Sequence, residues 1–509
     1  MGNIRVRFAP SPTGPLHIGG VRTALYNYLF AKKMGGTFIL RIEDTDQGRY
    51  VPGAEDYIIE ALQWCGLTPG EGLGVGGEYE PYRQSERKDI YQKYALELVE
   101  SGGAYYAFDT SQALEERRAA EAAKGNHNFR YDNVSRREMK NGLTLPASEV
   151  TRRLEAGEEY VVRLKVPNDE TVTINDLIRG PVSFQTNELD DKVLLKGDGM
   201  PTYHLANIVD DHLMRISHVI RGEEWLPSTG HHVLLYRAFG WEGTMPQFAH
   251  LPLILKPDGK GKLSKRDGAK FGMPVFPLGW EGETPEDSFR GFREYGFLPE
   301  AVINFLAFLG WNPGTEQEIF SLEELCQAFT IENIGKAGAR FDYDKAKWYN
   351  QQYIQRSENE ALAALVRPQL APKGYAPDAG YLEKVCGLLK ERMTFLTDFW
   401  AVGCYFFEEV KQFDDQNIAK RWTPESRPVF EALLAVIEKN KSFAAADIEV
   451  SVKDFIAEGG LKIGQIFPLL RIALTGSMQG PGVFEMMGVL GREKTVARLR
   501  KAIDYFDAL

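Results

Sequence analysis

Ile4, Val6 and Phe8 alternate with Arg5 and Arg7, the two-residue period of a β-strand. A turn rich in proline and glycine follows through Gly20. Val21, Ala24, Leu25, Tyr28 and Leu29 then recur at helical spacing until Gly35 and Gly36 stop the helix. The run 37–43 (TFILRIE) predicts a second strand. Strand, helix and strand in so short a span make a βαβ unit, which implies a parallel sheet with a right-handed crossover. Over 86–200 the texture changes: helical stretches at 89–100 and 114–123 precede strand-like pieces at 160–166 and 193–196. This reads as an α+β insertion between two halves of one sheet domain, 1–85 and 201–258. The second half carries a predicted strand at 218–221 and a helix at 226–239. Beyond Phe341 strand signals nearly vanish, and 362–370, 381–394, 428–439 and 495–506 read as amphipathic helices separated by Pro, Gly or Asn breaks. The region 341–509 is therefore expected to be all-α, in two helical subdomains. The stretch 273–288, with several prolines and glycines and two acidic clusters, reads as an exposed loop of no assigned role.

Length and composition narrow the class. A chain of 509 residues is too long for a single core, since domains run to about 100–200 residues. No apolar run approaches the roughly 20 residues that span a bilayer. The N-terminus starts as a strand and lacks the basic-then-apolar order of a signal peptide, so a cytoplasmic protein without membrane partners is expected. Cys65, Cys326, Cys386 and Cys404 lie far apart, with no C-x-x-C pair and no metal-ligand spacing, so no zinc is expected. The formal net charge of −11 argues against a nucleic-acid partner only at long range. Local basic clusters such as Arg117-Arg118, Arg136-Arg137, Arg152-Arg153 and 492–501 can still meet a phosphate backbone, although each alone suits a solvated helix face.

Two motifs carry chemistry. The first, P-S-P-T-G-P-L-H-I-G-G at 10–20, sits where a parallel strand gives way to a helix, the privileged ligand position of an open sheet. Its glycines let the backbone approach a ligand, the helix aims its positive end there, and His17 can donate to phosphate oxygens. The second, K-L-S-K-R at 262–266, puts two lysines beside a small polar residue on a loop, suited to the charge that builds on a reacting triphosphate. A basic surface loop is its plain alternative; the pairing with the first motif in one sheet domain outweighs that.

These motifs resemble the two signatures of the class I aminoacyl-tRNA synthetases, and the chain is similar within them to the bacterial glutamyl-tRNA synthetases. The likeness runs through R-I-E-D-T-D (41–46), P-Y-R-Q-S-E-R (81–87), V-x-R-L-K-V-P around Arg163, P-T-Y-H-L-A-N-I-V-D-D-H-L (201–213) and V-I-R-G-E-E-W-L (219–226). It continues in G-F-L-P-E-A (296–301), W-Y-N-x-x-Y-I (348–354) and A-L-T-G (473–476). Departures are mild: Gly20 stands for the signature's last histidine, Leu263 for methionine and Arg266 for serine. The segment 104–108 lacks the cysteine of zinc-bearing relatives, so the zinc-free form applies.

The resemblance implies an α/β fold: a Rossmann-like parallel-sheet catalytic domain with an acceptor-end-binding insertion, a stem-contact region at 259–340 and an all-α anticodon-binding region. It implies a glutamate–tRNA ligase that uses ATP with Mg²⁺, L-glutamate and tRNA(Glu), as a monomer, and leaves tRNA(Gln) open. His17, Lys262 and Lys265 would be catalytic. Pro10, Gly14, Gly19, Gly20, Glu224, Trp225 and Ser264 would join them around ATP. Arg7, Ser11, Glu43, Tyr203, Asn207 and Arg221 would hold glutamate, the arginines on its carboxylates and Glu43 on its ammonium. Arg471, Gln355 and Arg356 would meet the anticodon. A glutaminyl-tRNA synthetase shares the sheet domain but carries β-barrels where this chain reads helical. A tRNA-modifying paralogue lacks a C-terminal anticodon region, and a non-catalytic tRNA-binding relative should have eroded signatures.

Overall fold

Strand β1 (Arg5–Phe8), helix α1 (Ile18–Lys33) and strand β2 (Thr37–Leu40) form the expected βαβ unit, with β1 and β2 parallel in the register Arg5 to Thr37. The structure, a computed structural model, describes residues 4–509. Helix α2 (Ala54–Trp64) leads to β3 (Glu71–Gly72), which pairs in parallel with β2. Strand β2 ends three residues short of the predicted run. Beyond it Ile42 bonds instead to the segment after β3, its amide donating to the Tyr82 carbonyl and its carbonyl accepting from Gln84.

Arg5 and Arg7 alternate with the apolar residues of β1, yet neither is exposed. All four residues of β1 are buried. A parallel sheet is covered on both faces, so these arginines persist inside only because each is paired, Arg5 with Glu71 at 2.7 Å and Arg7 with Asp211 at 3.1 Å.

The insertion contains α3 (Lys88–Glu100), β4 (Ala104–Ala107), α4 (Ser111–Ala123), α5 (Ala147–Glu155), β5 (Val161–Leu164), the antiparallel hairpin β6 (Thr171–Asp176) with β7 (Gly180–Gln185), and β8 (Val193–Leu195). The chain then returns to the sheet through α6 (Tyr203–Leu213), β9 (His218–Gly222), α7 (Thr229–Ala238) and β10 (Gln247–Leu251), with β9 and β10 parallel. Strand β9 lies beside β1, the Ser217 amide donating to the Arg5 carbonyl. Helix α7 starts later than its apolar pattern suggests because Pro227 stands in a preceding 3₁₀ turn, Glu223–Ser228.

Residues 273–278 are buried, which corrects the expectation of a fully exposed loop; only 281–288 is largely exposed. The reason is packing that periodicity does not show. Tyr57 of α2 donates its hydroxyl proton to the Leu278 carbonyl at 2.6 Å, and Trp280 meets the Tyr57 ring at 5.6 Å.

Two compact units emerge, Met1–Glu294 with Val302–Tyr343, and Tyr295–Ala301 with Asp344–Leu509. In the second unit the described residues form no strand. Its helices include Asn359–Val366, Ala379–Leu389, Ser426–Lys439, Ala445–Glu458, Ile463–Thr475 and Val483–Asp507, the last broken at Gly491, where φ is 79°. The expected helix at 495–506 is the second half of this one. No helix of the described residues is long and apolar enough to cross a membrane.

Candidate active site

The turn after β1 presents its residues at the carboxyl end of the sheet. His17 caps α1: its Nδ1 accepts from the Gly19 amide at 3.1 Å, so the ring proton resides on Nε2. That Nε2 is buried and has no hydrogen-bond partner among the described residues. Burial, with Lys265 and Lys262 nearby, pushes the His17 pKa down to about 4, so the ring is a neutral donor at pH 7. Gly14 adopts φ +135°, a backbone conformation that favours glycine, and a Cβ there would sit 3.2 Å from Lys265 Nζ, which marks how close that lysine comes to the turn. At Gly20 a Cβ would lie 2.5 Å from Leu16 Cδ1, so a larger residue there would require the Leu16 side chain to move.

The buried half of the 273–288 segment closes this turn from behind. The Ile18 amide donates to the Val275 carbonyl at 3.0 Å, and the Phe276 ring meets His17 edge-on at 5.8 Å. Lys265 Nζ lies 5.8 Å from the same ring. Burial lowers the Lys265 pKa, and no carboxylate lies within 4.0 Å of its ammonium among the described residues. The other signature residues are engaged internally. Lys262 pairs with Glu224 at 2.6 Å, and Ser264 donates from both its amide and its hydroxyl to Asp267, which starts the short helix α8 (Asp267–Phe271).

Deeper in the sheet lies a charged lattice. Tyr203, Asn207 and Asp211 recur every four residues and therefore share one face of α6. Asp211 accepts from Arg7 Nε and Nη2 at 3.1 and 3.2 Å and from Arg41 Nη1 at 2.9 Å. Arg41, wholly buried, also donates to Glu43 Oε1 at 2.9 Å, and Asn207 donates to the same oxygen at 3.1 Å. Burial alone would lower the Arg41 pKa; Asp211 and Glu43 overcome it and raise it. Glu43 Oε2 is left without a hydrogen-bond partner among the described residues. The Pro10 carbonyl accepts from the Glu43 amide at 3.0 Å, tying the turn to this lattice.

Arg221, at the end of β9, differs from Arg7 and Arg41 of this lattice. Its Nε donates to His250 Nε2 at 3.1 Å, Nη1 to the Tyr203 hydroxyl at 2.9 Å and Nη2 to Thr229 Oγ1 at 2.9 Å. It is 5% exposed, and among the described residues no carboxylate lies within 4.0 Å of it. Burial accordingly lowers its pKa. A buried, uncompensated cation is costly in the free protein and marks a place for an anionic ligand. The Tyr203 ring packs against Trp225 at 4.5 Å, and Trp225 is half exposed. Ser11, Thr13, Glu43, Thr45, Tyr203 and Trp225 line one cleft.

The structure thus gathers Ser11, Glu43, Tyr203 and Trp225 in one cleft, bonds Arg221 to Tyr203 and Asn207 to Glu43, and sets His17 and Lys265 against the one Phe276 ring. It also adds five that sequence reasoning missed: Arg41, Asp211, Thr229, His250 and Phe276. Arg41 and Asp211 lie inside the quoted motifs, and the four-residue step from Asn207 to Asp211 was the available signal. Phe276 had none. Arg471 lies in the second unit on Ile463–Thr475, where its Nη1 donates to the carbonyls of Gly480, at 2.6 Å, and Pro481. Gln355 and Arg356 end the helix Tyr343–Arg356, and among the described residues no hydrogen bond or ion pair joins them to Arg471. No group of three or more His, Cys, Asp or Glu residues is placed to hold a metal ion among the described residues.

Comparison with known proteins gives two domain matches: "tRNA synthetases class I (E and Q), catalytic domain" over residues 3–348 and "Anticodon binding domain" over 361–503. The chain is 55% identical over 502 residues to the glutamate–tRNA ligase of Porphyromonas gingivalis, covering 98% of each. It is 54% identical over 505 residues to that of Cytophaga hutchinsonii, covering 98% of this chain and 97% of the relative. Among solved structures, a glutamate–tRNA ligase from Elizabethkingia meningosepticum in complex with its amino acid matches with TM-score 0.93 at 50% identity over 99% of both chains. The glutamate–tRNA synthetase of Elizabethkingia anophelis matches with TM-score 0.90 at 50% identity over 99% of this chain and 100% of the other.

Proposed function

The chain belongs to the class I tRNA synthetases of the glutamate and glutamine group, and we propose that it activates L-glutamate with ATP and transfers it to tRNA(Glu). The observation that carries the choice of amino acid is Arg221, a buried guanidinium beside Tyr203 whose bonded partners are all neutral.

An oxygen of the glutamate α-carboxylate attacks the α-phosphorus of ATP. The bond to the bridging oxygen breaks, and pyrophosphate leaves from glutamyl-adenylate. A terminal ribose hydroxyl of tRNA then attacks the acyl carbon, and AMP leaves. Neither step needs an enzyme nucleophile; both need in-line positioning and neutralisation of phosphate charge. His17 donates from Nε2 to a phosphate oxygen, while Gly14, Gly19 and Gly20 let the backbone come close. Lys265 stands ready over the triphosphate, and Lys262 joins it by leaving Glu224. Ser264 acts through its place in that loop, since its donors are taken by Asp267. Mg²⁺ enters with ATP, carried mainly on phosphate oxygens, and Glu224 and Trp225 border the adenosine.

Because the α-carboxylate is the nucleophile, a strong pair with a buried arginine would hold it back. Arg221 therefore takes the side-chain carboxylate. Glu43, through Oε2, takes the ammonium; Arg7, with Nη1 still available, and Ser11 complete the pocket. The insertion receives the acceptor end, and the helical unit, with Arg471, Gln355 and Arg356, reads the anticodon. The protein acts as a cytoplasmic monomer.

Charging purified tRNA(Glu) and tRNA(Gln) with labelled glutamate tests this. Labelled tRNA(Glu) is expected; labelling of tRNA(Gln) as well would define a non-discriminating enzyme. Incorporation of glutamine but not glutamate would overturn the reading.

A further inference from the structure

The groups bonded to the Arg221 guanidinium are all uncharged: the Tyr203 and Thr229 hydroxyls, the Trp225 carbonyl and the His232 ring on Nη1 and Nη2, and, on Nε, the ring of His250 on β10. His250 Nε2 must accept there, so its proton is on Nδ1, where Asp176 Oδ2 lies at 2.6 Å. Both members of this pair are fully buried. Asp176 ends β6 of the insertion hairpin and is satisfied locally: it also accepts from the amides of Ile178 at 2.9 Å, Arg179 at 2.8 Å and His250 at 3.2 Å. Its charge is thus spent on the far side of the imidazole from Arg221. Arg179 faces His250 too, through Nε on the backbone carbonyl at 3.1 Å. Thr229 Oγ1 lies 3.3 Å from His250 Nε2.

The choice of a neutral acceptor has a chemical consequence. A carboxylate at His250's place would orient Arg221 equally well, but it would pair with the guanidinium and cancel the charge on which preference for a carboxylate over its isosteric amide depends. An apolar residue would leave the charge and lose the orientation. The imidazole, locked in one tautomer by Asp176, supplies orientation without neutralisation.

We propose that the Asp176–His250 pair is a positioning device that holds Arg221 oriented and un-neutralised, and so sets the preference of the site for glutamate over glutamine. This rests on Arg221 being the partner of the substrate's side-chain carboxylate. Neither Asp176 nor His250 touches the substrate; both act through Arg221.

The test uses the full-length protein and initial-rate charging of tRNA with glutamate and with glutamine. His250→Ala should raise the glutamate KM about 10- to 100-fold, the worth of one hydrogen bond to a charged group, with the ATP KM within about twofold of the parent. His250→Gln, whose amide oxygen can accept from Arg221 Nε, should recover most of that loss. Asp176→Asn should raise the glutamate KM by a smaller factor, and His250→Glu should erase the glutamate-over-glutamine preference. Parental glutamate KM in His250→Ala overturns the proposal. So does equal loss of ATP and glutamate KM with no rescue by His250→Gln, the mark of a packing role. If His250→Ala does not fold, His250→Gln and Asp176→Asn carry the same split. A parent protein that does not charge tRNA with glutamate would instead defeat the ligase reading itself, and this proposal with it.

Discussion

Replacing Arg221 with methionine keeps most of the side chain's length and removes its charge, and activity and stability should respond in opposite directions. On the substrate side, a carboxylate left in a buried site without its partner costs about 3–5 kcal/mol. At about 1.4 kcal/mol per tenfold, kcat/KM for glutamate falls by roughly two to three and a half orders of magnitude. The fold should lose little. Tyr203 and Thr229 present hydroxyls that can turn to new partners, and Thr229 Oγ1 already stands 3.3 Å from His250 Nε2. Against a cost of about 1–3 kcal/mol for disturbed hydrogen bonds stands relief from a desolvated cation that no nearby carboxylate offsets, itself worth several kcal/mol. Stability should therefore be unchanged or slightly raised. Arg7→Met gives the contrast. It strips Asp211 of a partner inside the lattice and should destabilise by about 3–5 kcal/mol, whatever it does to binding. Steady-state charging with varied glutamate and a urea titration of both variants decide the matter. The reasoning fails if Arg221→Met keeps the parental glutamate KM, or if it loses as much stability as Arg7→Met.

Lys265→Ala should reduce glutamate-dependent ATP–pyrophosphate exchange about 10²–10³-fold while tRNA affinity in filter binding stays near parental; near-normal exchange would remove the lysine from the chemistry. Phe276→Ala, which frees both the His17 ring and Lys265 from their common neighbour, should lower kcat roughly tenfold through looser positioning, and an unchanged kcat would reduce the 273–278 segment to packing. Stability should decline on acidification from pH 6.5 toward 4. The folded-state pKa of His17 is lowered to about 4 and that of His204 to about 3, so over this window the unfolded chain binds protons that the folded chain refuses, each costing about 1.4 kcal/mol per pH unit. Urea midpoints at pH 7.5 and 5 that coincide would contradict this. Arg471→Gln should cut the charging preference for cognate over anticodon-altered tRNA by about 1–3 kcal/mol; lost stability with that preference intact would make Arg471 a brace for the carbonyls of Gly480 and Pro481.

Much of the active site is legible in the sequence because its parts are local. Pro10 to Gly20 must be a strand-to-helix turn, since alternation gives way to helical spacing across it. The lysine signature is equally compact. Residues with partners far along the chain were harder. Arg7 gains its glutamate role only through the resemblance, and nothing local along the chain shows that Asp211, 204 residues away, holds two of its nitrogens. Phe276 sat in a stretch whose prolines and glycines read as an exposed loop, yet α2 buries its first half.

By itself the sequence determined the element order, the parallel sheet, the helical C-terminal region and the identity of the signature residues, because periodicity, turn chemistry and short motifs act over a few residues. Only the tertiary structure decided which charges are spent and which are free. Arg7, Arg41 and Arg221 are chemically identical along the chain. In the fold the first two share Asp211, while the third meets a tyrosine, a threonine, two neutral histidines and a backbone carbonyl. That distinction comes from which strand and helix ends converge in space, and burial then turns the difference in partners into a difference in function, since an unpaired charge is far more costly, and far more selective, away from water.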